Sequence, residues 1–75
     1  MEIKVKVLKR EILEKAVAYT NSKLGIKLEI LNFKKESKFG EATLIGNDLS
    51  SDKAFNVGMV LSERIQLITN YRWDN

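Results

Sequence analysis

The hydrophobic period of this chain changes twice within its first 33 residues, and that change constrains the fold more than any other feature. In "EIKVKVL", Ile3, Val5 and Val7 alternate with charged residues, which predicts a half-buried strand. "KREILEKAVAYTNSKLG" then places its apolar residues on one arc of a helix, and Gly25 can supply a left-handed cap. "IKLEILNF" returns to alternation. The pattern predicts strand, helix and strand in succession, and therefore an α+β domain.

The stretch "FNVGMVLSERIQLITNYRW", residues 55–73, is compatible with one helix or with two strands. A helical stripe that starts at Phe55 breaks at Ser62 and Glu63, and Gly58 inside a helix costs about 1 kcal/mol relative to alanine. The stretch is also rich in β-branched residues, and every second residue, most of them apolar, falls on one side before the break and again after it. These features favour a β-hairpin.

The full prediction is one domain, residues 1–75, with the order β-α-β-β-β-β. "KKESKFG" is a polar connector, "EATLIGN" a short strand and "DLSSDK" a loop of turn-forming residues. The strands form a single, mostly antiparallel sheet with the helix packed on one face. The residues predicted to face the helix are Ile3, Val5, Val7, Leu28, Ile30, Leu44, Val57, Met59, Ile65 and Leu67.

The uncovered face of such a sheet should be polar, but this pattern also places apolar residues there. A contiguous apolar patch of this kind usually marks an interface. The aromatic residues near the C-terminus lie close to Arg64 and Arg72, a composition typical of binding hot spots. The predicted protein interface consists of Leu31, Phe33, Ile45, Val60, Ile68, Tyr71 and Trp73. Alternatively, a loop or the C-terminal end covers this face, and the aromatic residues complete a small core.

The chain has 75 residues and contains neither cysteine nor histidine. Disulfides are impossible, and the usual ligands of structural zinc are missing. A chain this short buries only about 60% of its unfolded surface, so association with a partner is the remaining source of extra stability.

The same two absences remove the commonest general base and the best nucleophile. Asp48 and Asp52 are the remaining candidate carboxylates, and their spacing resembles a calcium loop. The loop pattern fails, because Lys53 stands where glycine is required and Met59 where a glutamate ligand belongs. The glycines are too scattered to form a phosphate-binding loop. We therefore expect no enzyme activity, no catalytic or metal-binding residues and no cofactor.

Positive charge is concentrated in the first 38 residues, which hold ten basic and five acidic side chains. The alternative function is therefore binding of single-stranded nucleic acid on the open sheet face. The alternative site consists of Lys4, Lys6, Lys27 and Phe33. Glu2 and Glu29 interrupt this patch, and a solvated surface in a lysine-rich chain is the favoured explanation of the charge.

No apolar run approaches the roughly 20 residues that span a bilayer, and "MEIKVKV" lacks the apolar core of a signal peptide. The absence of cysteine fits a reducing compartment. We expect a soluble, cytoplasmic protein that does not contact membranes.

The stretch "FNVGM", followed by "RIQLITNYRW", resembles the end of an uncharacterised family of small proteins. This family occurs in chloroplast genomes, cyanobacteria and some phages. Residues 55–59 and Trp73 carry the resemblance, and Met59 stands where the family has an aromatic residue. The resemblance implies two strands and a tryptophan-containing tail, and it implies no catalytic residues.

These features predict a non-enzymatic binding protein that contacts another protein, or a second copy of itself, through the open sheet face. Small, cysteine-free chains rich in lysine, isoleucine and asparagine are typical of accessory proteins of phages and mobile elements. Some of these inhibit a host enzyme or a defence complex, which is the role that we expect here.

Overall fold

The computed structural model describes residues 2–36, 38–46 and 51–73, which form three strands and two helices. The elements are β1 (Glu2–Val7), α1 (Arg10–Leu24), β2 (Leu28–Glu36), β3 (Phe39–Gly46) and α2 (Ser51–Trp73). The α+β class is confirmed. The predicted order with five strands and one helix is wrong, because the whole C-terminal stretch is a second helix.

The sheet has the order β1-β3-β2, with β3 in the centre and antiparallel to both neighbours. β1 and β2 therefore run parallel to each other without pairing, and α1 connects them. Lys4 in β1 lies opposite Thr43 in β3, which lies opposite Asn32 in β2. This register defines which side chains share a face.

A β-bulge at Leu31 changes the face on which the second half of β2 projects its side chains. Ile30 pairs with Leu44 and Asn32 pairs with Thr43, so Leu31 has no partner in β3. One extra residue reverses the alternation that follows it. Phe33 consequently lies opposite Ala42 and packs against the core. Its predicted place on the outer face was wrong.

The predicted connector "KKESKFG" is largely strand. β2 continues to Glu36, and β3 begins at Phe39, which pairs with Glu36 and closes the hairpin. Polar residues are tolerated there because Lys34, Lys35 and Glu36 are exposed at the free end of the hairpin.

The helix α1 forms as predicted. Its buried stripe consists of Ile12, Leu13, Ala16, Val17 and Thr20. Gly25 adopts the left-handed conformation with φ of 64°, and its N–H donates to the carbonyl of Asn21. The side chain of Asn21 accepts a bond from the N–H of Leu28 at 2.8 Å and donates to its carbonyl at 3.2 Å. These two bonds fix the start of β2 against the end of α1.

The helix α2 replaces the predicted hairpin, because its core-facing stripe starts at Val57 and not at Phe55. Val57, Leu61, Ile65 and Ile68 recur at helical spacing and pack against the core. The polar pair at residues 62 and 63 is exposed, so it does not interrupt this stripe. Burial of the stripe outweighs the low helix propensity of the β-branched residues. The residues predicted inward at positions 59 and 67 are exposed.

One hydrophobic core joins both helices to the same face of the sheet. The guanidinium of Arg64 in α2 lies 4.1 Å from the ring centroid of Tyr19 in α1. The buried Nε of Arg64 has no hydrogen-bond partner among the described residues, so the ring provides its favourable contact. The two helices are thus held together by apolar packing and by this cation–π pair.

Gly58 gives a direct test of the helical assignment. It lies within α2, and apart from its chain neighbours and the backbone of its own helix, no atom lies within 4 Å of the position that a Cβ would occupy. We expect Gly58→Ala to raise the free energy of unfolding by about 1 kcal/mol, which corresponds to a rise in Tm of about 4–8 °C. Thermal unfolding followed by circular dichroism checks this, and an unchanged or lower Tm would contradict it.

Candidate functional site

The open face of the sheet is polar, unlike the apolar face expected from the sequence. Its outward side chains are all polar except Phe39 and Ile45, and they are Glu2, Lys4, Lys6, Glu29, Asn32, Lys34, Glu36, Phe39, Glu41, Thr43 and Ile45. Opposite charges alternate across the strands, since Glu41 lies between Lys6 and Lys34. Mixed charge of this kind is typical of a solvated sheet face.

The predicted interface residues are not gathered on one surface. Leu31 is 55% exposed at the bulge, and Ile45 is half-buried between two glutamates. Phe33 lies on the inner face, while Val60 and Ile68 belong to α2 and are half-buried. Tyr71 and Trp73, which were also predicted to belong to the interface, lie within the helix α2, but their side chains are outside the described part of the structure.

The alternative nucleic-acid site is dispersed as well. Lys4 and Lys6 project from the same face of β1, and Lys6 lies opposite Glu41. Lys27 precedes β2 at the end of the sheet where Leu28 pairs with Gly46. With Phe33 packed against the core, the structure places no aromatic side chain from this set on the open face.

The outer surface of α2 carries the most exposed of the large apolar side chains that the structure describes. Phe55 is 70% exposed, Leu67 is 56% exposed and Met59 is 49% exposed. With Glu63, they follow one another at intervals of four residues, so they form one row along the helix. We call Phe55, Met59, Glu63 and Leu67 the outer row.

The charge around the outer row is acidic. At 100° per residue, Asp52 and Glu63 fall in the sector between Phe55 and Leu67, and both are exposed. Lys53 falls outside this sector, and Arg64 points towards Tyr19. The outer row therefore presents apolar side chains together with negative charge.

The sequence contains the signal for this surface, but it is easily misread. α2 has two apolar stripes, one that includes Val57 and Leu61 and one that includes Phe55 and Met59. A helix that packs against the core on one side needs one apolar stripe, which here is the stripe that includes Val57 and Leu61. Combining the two stripes into one produces the apparent alternation that favours strands.

The candidate carboxylates are not assembled into a site in the described residues. Asp52 is exposed in the first turn of α2, and Asp48 lies outside the described residues. Within residues 2–36, 38–46 and 51–73, no three or more acidic side chains are grouped closely enough to hold a metal ion. Neither described helix combines the length and hydrophobicity that crossing a membrane requires.

Comparisons with protein-family models, with curated proteins and with solved structures find no match to this chain. The resemblance carried by residues 55–59 and Trp73 stays a prediction. The strands that it implied are wrong for this chain, because these residues belong to α2.

Proposed function

We propose that this chain is a non-enzymatic binding protein that contacts another protein through the outer row of α2. The observation that carries the proposal is the 70% exposure of Phe55, with Met59 one turn further along the same row. Aromatic and methionine side chains are enriched at protein interfaces. Leaving them in water has no structural benefit here, because the core is already completed by the opposite stripe of the helix.

The charge pattern indicates the chemistry of the partner. An amphipathic helix binds by placing apolar anchors at successive turns into a groove. Asp52 and Glu63 flank the anchors, so a complementary groove is apolar and bordered by lysine or arginine.

A second copy of this chain fits the outer row less well. Antiparallel pairing of two outer rows brings the two Glu63 side chains within about 6 Å of each other along the helix axis. Like charges in such proximity oppose association. We therefore expect the free protein to be a monomer.

The role that we expect from the composition is inhibition of a host enzyme or defence complex by a phage or mobile-element accessory protein. Occupation of a groove by the outer row is a mechanism for such inhibition. The support for it is the exposed anchor row, and the biological setting stays a prediction.

Substitutions in the outer row test the proposal. We expect Phe55→Ala to weaken binding by about 30-fold or more, because an aromatic anchor is a typical hot spot. The wild-type chain is used to capture the partner from a lysate of the cells in which this protein is made. The purified partner is then titrated with the wild-type chain and with each variant by calorimetry. Leu31→Ala is the matched control, since Leu31 is a similarly exposed apolar residue on the sheet, and its dissociation constant should stay within about twofold.

Two results would overturn this proposal. Equal affinities of the Phe55 and Leu31 variants would show that the outer row is not the contact surface. Light scattering that detects a dimer, converted to monomer by Phe55→Ala, would show that a second copy occupies the row.

A further inference from the structure

A cleft of about 750 Å³ opens at the end of the molecule where the β2–β3 hairpin closes. Three segments that are distant in the sequence form it: the β1–α1 turn, the hairpin end and the last turns of α2. The residues that determine its chemistry are Lys9, Lys35, Lys38, Phe39, Thr69 and Asn70. None of them belongs to the outer row, so this cleft is a separate surface.

Most of the surface that lines the cleft is apolar, and the charged side chains around it are lysines. Lys9 comes from the β1–α1 turn, and Lys35 and Lys38 come from the hairpin. No acidic residue lines the cleft among those that the structure describes. Three lysines around one concave surface create a positive potential that attracts phosphate groups.

Phe39 adds an apolar platform to this charge. It begins β3, is 52% exposed and borders the cleft, and on its other side it lines a smaller pocket with Lys6, Glu36 and Glu41. Asn70 of α2 also lines the cleft, and its exposed amide can donate and accept hydrogen bonds. An exposed aromatic ring among lysines is the combination that binds an unpaired base and its phosphates.

We propose that this cleft binds single-stranded nucleic acid, with one base stacked on Phe39 and the backbone held by Lys9, Lys35 and Lys38. Stacking on Phe39 favours a single strand, because the bases of a duplex are stacked on each other and offer no free face to the ring. Stacking and phosphate contacts do not read sequence, so the binding should tolerate any base. This site differs from the dispersed set Lys4, Lys6, Lys27 and Phe33.

Fluorescence anisotropy with a labelled oligothymidine of about a dozen nucleotides, several times the smallest single-strand sites, tests the stacking contact. We expect Phe39→Ala to weaken binding by about 5- to 100-fold, and Phe39→Tyr to retain wild-type affinity because the ring is kept. Leu31→Ala removes a similarly exposed apolar side chain away from the cleft and should change nothing. Circular dichroism of each variant confirms that it is folded.

The salt dependence tests the lysines, even if Phe39→Ala does not fold. Three phosphate contacts predict a slope of about −2 for log K against log salt, and Lys35→Gln should reduce its magnitude by about 0.7. Lys27→Gln is the matched control, because it removes the same charge at the other end of β2, and it should leave the slope unchanged.

Four results would overturn the proposal. The first is no detectable binding of the oligonucleotide at low salt. The second is equal slopes for the Lys27 and Lys35 variants. The third is an affinity for duplex DNA that equals the affinity for the single strand and that neither Phe39→Tyr nor Phe39→Ala changes. The fourth is binding to anionic phospholipid vesicles without binding to the oligonucleotide, which would identify the surface as a membrane contact.

Discussion

Leu61→Ala should lower the free energy of unfolding by about 2–5 kcal/mol, the largest effect that we expect from any single substitution. Leu61 is completely buried, and it packs in the core that joins α2 to α1 and the sheet. Its truncation removes apolar contacts and leaves a cavity. A domain of this size has a total stability of only about 4–11 kcal/mol, so the variant should be close to unfolding. Urea denaturation followed by circular dichroism measures the loss.

Leu67→Ala is the matched control on the same helix. Leu67 is in the outer row, and its truncation should change the stability by no more than about 0.5 kcal/mol. A β-hairpin over residues 55–73 would place Leu61 and Leu67 both towards the core. Similar losses for the two leucines would therefore contradict the helical arrangement.

Gly40→Ala should destabilise the protein by about 1–3 kcal/mol, although alanine is usually harmless in a strand. The ring of Phe33 lies directly over Gly40, so an added Cβ would occupy the space that the ring fills. The ring must then leave its position against the core. The loss is measured by urea denaturation in the same way.

A double-mutant cycle separates this steric cause from a general effect on the strand. In the Phe33→Leu background, we expect Gly40→Ala to cost less than about 0.5 kcal/mol, because the smaller side chain leaves room for the methyl group. The coupling between the two sites should then be about 0.5–3 kcal/mol. Additive losses would mean that Phe33 does not cover Gly40, and hence that the bulge at Leu31 does not turn this ring inward.

The first half of the fold could be predicted from the sequence because its signals are local. β1 alternates strictly, α1 has one apolar stripe, and Gly25 ends it with the backbone conformation that glycine favours. The short strand around Ala42 and Leu44 was also correctly expected. Each of these elements packs on one side only, so its hydrophobic period has a single interpretation.

The helix α2 could not be predicted in this way, because two of its faces are apolar for different reasons. Val57 and Leu61 pack against the core, whereas Phe55 and Met59 face outward. The choice between helix and hairpin depends on which stripe meets the core, and that is a tertiary property.

The positions of the candidate binding surfaces also depend on tertiary structure. A single extra residue at Leu31 moves Phe33 from the outer face to the inner face, and no residue type marks a bulge in advance. The lysine cleft exists only because the hairpin end meets the β1–α1 turn and α2. Its residues, Lys9 and Phe39 among them, have no spacing in the sequence that indicates a shared site.

The most direct test of the proposed contact surface is photo-crosslinking in living cells, with a photoreactive phenylalanine analogue at position 55, 59 or 31. We expect positions 55 and 59 to give one adduct with a different protein, crosslinked within an apolar groove bordered by lysine or arginine. The control at position 31 on the sheet should give no such adduct. An adduct of two copies of this chain, equal adducts from all three positions, or no adduct from position 55 would contradict the assignment of the outer row as the protein-binding surface.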